Sequence, residues 1–217
     1  MKISNGKLAA LIIALVIVID QAVKIWVKTH FYYGEEMQIT SWFRLLFIEN
    51  NGMAFGMQLG SKIILSLFRV VAIGILGYYI WQQVQRQAKT GYIILLSMVL
   101  AGAAGNLIDC MFYGLIFNAS SPYYLSYFVP FGTGYAPFLM GKVVDMFYFP
   151  LIESDWPQWV PFVGGDHFIF FSPVFNFADS CISVSVVWLL LFYRKEISTI
   201  SLSKNPKQSE EQEVKES

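Results

Sequence analysis

Four stretches of this chain are each long and apolar enough to cross a lipid bilayer: Leu8–Val27, Ile63–Trp81, Tyr92–Met111 and Phe177–Tyr193. A crossing helix needs about 20 mostly apolar residues to cover roughly 30 Å of hydrocarbon at 1.5 Å per residue. Lys2 and Lys7 before the first stretch suggest a cleaved leader. Asp20 and Lys24 fall inside it, however, and no small-residue cleavage pattern closes it, so a retained helix is expected. The 217 residues are 56% hydrophobic and 14% charged, whereas a soluble domain has roughly 45–50% and about 25%. The expected fold is an all-α integral membrane protein of four transmembrane helices, with a small extracytoplasmic β-structure and enlarged outer loops.

The basic residues orient these spans. Lys2 and Lys7 flank the first, Arg86 and Lys89 separate the second from the third, and Arg194, Lys195, Lys204, Lys207 and Lys215 follow the fourth. Segments 29–61 and 112–176 carry only Arg44 and Lys142. The positive-inside rule then puts both termini in the cytoplasm and the two long segments outside. Residues 1–202 read as one membrane-embedded domain and 203–217, polar and without aromatics, as a disordered cytoplasmic tail. Phe31–Gly56 alternates enough to suggest short β-structure near the membrane surface. The second outer segment, with Trp156 and Trp159, is rich in rings that favour the headgroup layer. Within it, Phe168–Phe171 suggests a brief membrane-dipping piece. No internal repeat is evident.

A formal net charge of zero offers no basic surface for nucleic acid. Cys110 and Cys181 make no metal-ligand spacing and read as buried thiols or, alternatively, a disulfide or redox pair. His30 and His167 pair with neither each other nor a cysteine, and HExxH is absent. No metal and no cofactor are expected.

Ionisable groups in or beside hydrocarbon cost free energy and call for a reason. Asp20 and Lys24, four apart, share a helix face; they are either a self-neutralising anchor or the support of a polar cavity. Arg69 reads as interfacial snorkelling. In AGAAGNLIDC, Ala101 and Gly105 have the small-xxx-small spacing that lets another helix approach. Asn106 and Asp109 share a face at the end of that helix, where a carboxylate meets an unfavourable dipole. Asp145 lies alone among apolar neighbours, and Asp179 follows Asn176 by three, a spacing that also fits simple helix capping. The expected topology brings Asp20, Asp109, Asp145 and Asp179 toward the outer leaflet together. Two carboxylates in a partly dry pocket share a proton, and such a dyad can activate water with one member and polarise a carbonyl with the other. With no Ser/His, Cys/His or GxSxG arrangement in competition, peptide hydrolysis at the membrane surface is the expected chemistry.

Together the segments DQAVK (Asp20–Lys24), ENNGMAFG (Glu49–Gly56), AGAAGNLID (Ala101–Asp109), GKVVDMF (Gly141–Phe147) and FNFADS (Phe175–Ser180) resemble the lipoprotein signal peptidases, the type II signal peptidases. The resemblance implies a catalytic dyad of Asp145 and Asp179. It implies a supporting or substrate-binding set of Asp20, Lys24, Asn50, Gly102, Gly105, Asn106, Asp109, Asn176 and Ala178. It also implies a monomer among membrane lipids in the bacterial inner membrane, with its site near the outer leaflet. The substrate would be a prolipoprotein whose cysteine carries a diacylglyceryl group, cleaved just before that cysteine. Two departures stand out: Cys110 occupies the place where the family commonly has arginine, and Met146 replaces a phenylalanine. The intervals from Asp109 to Asp145 and from Asp145 to Asp179 are longer than usual, suggesting aromatic cover over the site or a substrate-docking surface. A small proton-coupled transporter and an inactive family member are the alternatives.

Overall fold

The computed structural model describes residues 3–51 and 62–197. The expected tail, 203–217, and residues 52–56 of the second motif lie outside them. Three helices have the length and hydropathy of membrane spans: α1 (Asn5–His30), α2 (Lys62–Gln85) and α3 (Thr90–Ile108), the last running on through a π-helical turn (Asp109–Tyr113) into a short α4 (Gly114–Ile116). α1 and α2 run one to four residues past their expected bounds, because polar caps and interfacial side chains extend a helix beyond its apolar core, whereas α3 itself stops at Ile108 and only the π-helical turn and α4 carry it past Met111. Ser4 caps α1 by accepting from the amide of Lys7. The fourth apolar segment forms α5 (Phe177–Phe192), whose 16 residues amount to about 24 Å of helix.

The third helix is the hub, packing against α1, α2 and α5. Small residues permit this: a Cβ at Gly102 would lie 2.5 Å from the Ala178 carbonyl, and one at Gly105 would lie 2.6 Å from Asp20 Oδ2. Thus Gly102 joins Gly105 as a close-approach position, whereas Ala101 packs with Val16 and Cys181. The outward faces remain apolar and uncovered, as with Ile64, Phe68, Val71 and Ile75 on α2. Such faces suit lipid rather than water.

The β-structure is larger than the sequence suggests. Strands β1 (Glu36–Gln38) and β2 (Arg44–Asn50) are joined by β3 (Val143–Tyr148) and β6 (Val174–Phe175) in an antiparallel sheet of order β1-β2-β3-β6. Asp145 therefore lies on a central strand rather than in a loop. Phe47, Val144 and Met146 bury one face of the sheet against Val27 and Phe31 of α1 and Tyr113 and Phe117. Strands β4 (Ile152–Asp155) and β5 (His167–Phe170) make a separate hairpin. Phe168–Phe170, expected to belong to a membrane-dipping piece, are thus residues of a paired strand. Because β6 ends one residue before the cap of α5, the sheet and the helix bundle meet at Asn176.

Candidate active site

The amide of Asn176 joins the two aspartates. Its Nδ2 donates to Asp145 Oδ1 at 2.6 Å, while its Oδ1 accepts from the Asp179 backbone N–H at 2.9 Å. Asp179 Oδ2 in turn accepts from the Asn176 backbone N–H at 3.4 Å, completing a capping box at the start of α5. The capping reading of Asn176 and its site reading therefore describe the same geometry. Asn106 Nδ2 donates to Asp179 Oδ1 at 2.8 Å, and Asn50 Nδ2 donates to Asp145 Oδ2. Helix, strand and cap thus contribute one amide each to two carboxylates.

The acids differ in surroundings. Asp145 is 1% exposed, whereas Asp179 is half-buried. Burial pushes the Asp145 carboxyl up to about 7; the Asp179 charge raises it further, and the Asn176 hydrogen bond, the Lys24 charge and the Asn50 hydrogen bond oppose the rise. Desolvation and a like charge both favour the neutral acid.

Below the pair lies a fully buried ionic layer. Lys24 Nζ meets Asp20 Oδ2 at 2.9 Å, Asp109 Oδ2 at 2.8 Å and Asn106 Oδ1 at 2.7 Å. All three ammonium protons are used, and the Asn106 amide is oriented so that its Nδ2 faces Asp179. Asp20 Oδ1 also accepts from the Ala178 backbone N–H at 3.0 Å, tying α1 to α5. Asp109 Oδ2 accepts from the Val144 N–H at 3.3 Å, linking the π-helical turn to β3. That widened turn supplies the bend; π-turns occur frequently at functional sites. The pair Asp20–Lys24 is therefore buried inside the bundle and tied to Asp109 and Asn106 rather than self-contained.

Every candidate residue named from the sequence converges here: Asp20, Lys24, Asn50, Asn106, Asp109, Asp145, Asn176 and Asp179 by hydrogen bonds or ion pairs, and Gly102, Gly105 and Ala178 by the close helix approach. One participant was missed. Gln21 Nε2 donates to Asp109 Oδ1 at 2.9 Å and Asp20 Oδ2 at 3.1 Å, while its Oε1 accepts from the Tyr113 hydroxyl at 3.2 Å. A glutamine inside an apolar span was its signal. Arg69, expected to snorkel, instead reaches across from α2 and donates to Cys110 Sγ at 3.4 Å. A guanidinium is thus present beside the position that lacks the family arginine, although another helix carries it. Both cysteines are buried free thiols.

A membrane-helix bundle closing over two aspartates with a shared asparagine has the make-up of a membrane aspartic peptidase. The chain belongs to the signal peptidase II family, whose model matches residues 12–194. It is 48% identical to a lipoprotein signal peptidase of Porphyromonas gingivalis over 92% of this chain and 88% of that one. It is 35% identical to one from Amoebophilus asiaticus, covering 84% and 76% respectively. In fold it resembles two solved bacterial membrane enzyme structures obtained by the in meso method. The first has a TM-score of 0.54 at 22% identity, covering 91% of this chain and 93% of the other. The second has a TM-score of 0.56 at 21% identity, covering 92% of each. The chain is accordingly a multi-pass bacterial membrane protein and an aspartic peptidase, which answers the transport alternative.

Proposed function

We propose that Asp145 and Asp179 are the catalytic dyad with which this signal peptidase II removes signal peptides from prolipoproteins. The observation that carries the assignment is the asymmetric pair held by Asn176: one carboxyl buried, the other half-exposed. Ionised Asp179 takes a proton from water as its oxygen attacks the scissile carbonyl carbon, while protonated Asp145 donates a hydrogen bond to the carbonyl oxygen. As the tetrahedral species collapses, the C–N bond breaks and the leaving amine takes a proton from the dyad. Asn50, Asn106 and Asn176 hold the carboxylates, and the Asp20–Lys24–Asp109 layer holds the asparagines. No metal or cofactor enters these steps.

In the same reading α5 is the fourth span, both termini are cytoplasmic, and the dyad lies near the outer leaflet of the inner membrane. There the diacylglyceryl chains of the substrate stay in lipid while the bond before the modified cysteine meets water. The enzyme acts as a monomer surrounded by membrane lipids. The long segments 117–133 and 152–170, with their aromatic residues, cover the site or dock the substrate.

The experiment is cleavage of a diacylglyceryl-modified precursor peptide in detergent by the parent, Asp145→Asn and Asp179→Asn at matched folding. The expected result is turnover by the parent and none by either variant, with peptide binding retained. Full activity in either amide variant would remove that residue from the dyad.

A further inference from the structure

One turn beyond Lys24, Lys28 is also fully buried, and its surroundings play no part in the mechanism above. Its Nζ meets Glu49 Oε1 at 2.5 Å and Ser120 Oγ at 2.7 Å. It also lies 5.2 Å from the ring centres of both Phe117 and Tyr135, and 5.9 Å from that of Phe47. Ser120 Oγ donates to the same Glu49 oxygen at 2.9 Å, and Lys142 Nζ lies 3.7 Å from the other. Glu49 immediately precedes Asn50, the residue that holds Asp145.

Strand β2 needs something to fix its end. Leu45 pairs with Phe147, but Ile48 pairs with Asp145, so β2 carries an extra residue between these points. A bulge of this kind re-aims the side chains beyond it. Past the bulge only Ile48, Glu49 and Asn50 remain paired, opposite Asp145, Val144 and Val143. Ladder hydrogen bonds are indifferent to which side chain faces which way, and a one-residue slip exchanges the faces. Here it would turn Glu49 toward Asp145 and Asn50 toward the aromatic pocket. A buried cation on one face excludes that alternative, because only a carboxylate compensates its desolvation.

We infer that Lys28 and Glu49 are positioning residues for the hydrolysis: their buried ion pair selects the register of β2 in which Asn50, and no neighbour, holds Asp145. The inference rests on the dyad assignment made above. Ser120 brings the 117–135 segment into the same contact, so this outer segment closes the ion pair from water and braces the dyad indirectly.

The test is an interaction cycle in the full-length enzyme in detergent, with a diacylglyceryl-modified precursor peptide as substrate. Its variants are Lys28→Met/Glu49→Leu, Asn50→Ala and their triple combination. The paired change leaves no buried charge uncompensated. The expected result is a fall in kcat of roughly ten- to a hundredfold with KM little changed. The alkaline limb of the pH profile should move upward, and that of Asn50→Ala should move the same way, because the Asn50 hydrogen bond favours ionised Asp145. The triple variant should fall no further than Asn50→Ala, since the ion pair acts through that residue. Independent, multiplying losses, or parent kcat and pH profile in the paired variant, overturn the inference alone. A folded parent that cleaves nothing overturns the functional reading and this inference with it. Glu49→Asp supplies a second arm that keeps the charges matched and favours folding. Shortened by one methylene, it should draw β2 out of place and lower kcat roughly tenfold; parent-like kcat there also overturns the inference.

Discussion

Lys24 and Lys28 stand one helical turn apart on α1, both without exposed surface, yet they are neutralised by opposite strategies. Lys24 has two carboxylates and an amide, all drawn from helix α1 and the α3 segment. Lys28 has one carboxylate and a hydroxyl, with ring faces completing its shell, and its partners come from β2 and the 117–135 segment. The first lysine is a cross-link within the bundle, and the second joins the bundle to the sheet. A charge shared by two acids leaves more behind when it is removed than a charge held by one. A buried cation can therefore be structural or register-selecting according to how many anions depend on it.

The sharpest way to break that comparison is Lys24→Met. It strands Asp20 and Asp109 together without a counter-charge, and losing one side of a buried ionic cluster typically costs about 3–5 kcal/mol. Thermal unfolding in detergent should show a larger loss than either Gly105→Ala or Lys28→Met causes, with activity lost as well. A parent-like melt would mean that the two carboxylates can neutralise themselves. Next comes Gly105→Ala, which leaves Lys24 in place but puts a methyl carbon 2.6 Å from Asp20 Oδ2. Overpacking of this kind costs about 1–3 kcal/mol, and turnover should fall with it as Asp20 is displaced. If Gly105→Ala melts like the parent, α1 and α3 are not held at this distance.

Lys28→Met alone should cost less, about 1–2 kcal/mol, because Glu49 keeps the Ser120 hydrogen bond and Lys142 stands 3.7 Å away. Parallel melts of Lys24→Met and Lys28→Met decide the matter: equal losses would dissolve the distinction between the two sites. A larger loss at Lys28 would reverse it.

The sequence exposed the Lys24 side of this comparison and hid the Lys28 side, for a physical reason. Asp20, Lys24, Asp109 and Asp179 stand out because an ionisable group within an apolar segment is costly wherever it points. Lys28 lies at the end of α1, where a lysine is expected to reach water. Only the fold puts Glu49, from a strand 21 positions away, and Ser120, 92 positions away, beside it. The sheet was partly hidden for a related reason. VVDMFY has the composition of a buried strand, but its β2 partner lies 95 positions earlier, as the Asn50–Asp145 contact shows. Such non-local pairing leaves no signature in either segment alone. Gln21 was legible in principle, since an amide inside a span also needs partners, whereas the Arg69–Cys110 contact required knowing how α2 packs on α3.

A pH-dependent effect separates the dyad from the ionic layer beneath it. An aspartate in the unfolded chain titrates near 4, at about 3.9, whereas folded Asp145 titrates at about 7. Between those values the folded chain holds a proton that the unfolded chain has released, so raising the pH favours unfolding. The contribution is fully present below about pH 4, is lost as pH rises through about 7, and is flat beyond. Asp145→Asn removes the titration, so parent and variant melts should diverge with pH, the parent losing stability relative to the variant from about pH 4 to about pH 8. Activity should follow the same group: turnover should fall on the alkaline side as Asp145 ionises and the dyad carries two charges. The Lys24 charge pulls this ionisation downward, so the lysine that cross-links the bundle also loosens the proton held by the dyad. Parallel melts across that pH range would mean that Asp145 is already ionised in the folded enzyme. The proton-holding role would then pass to Asp179.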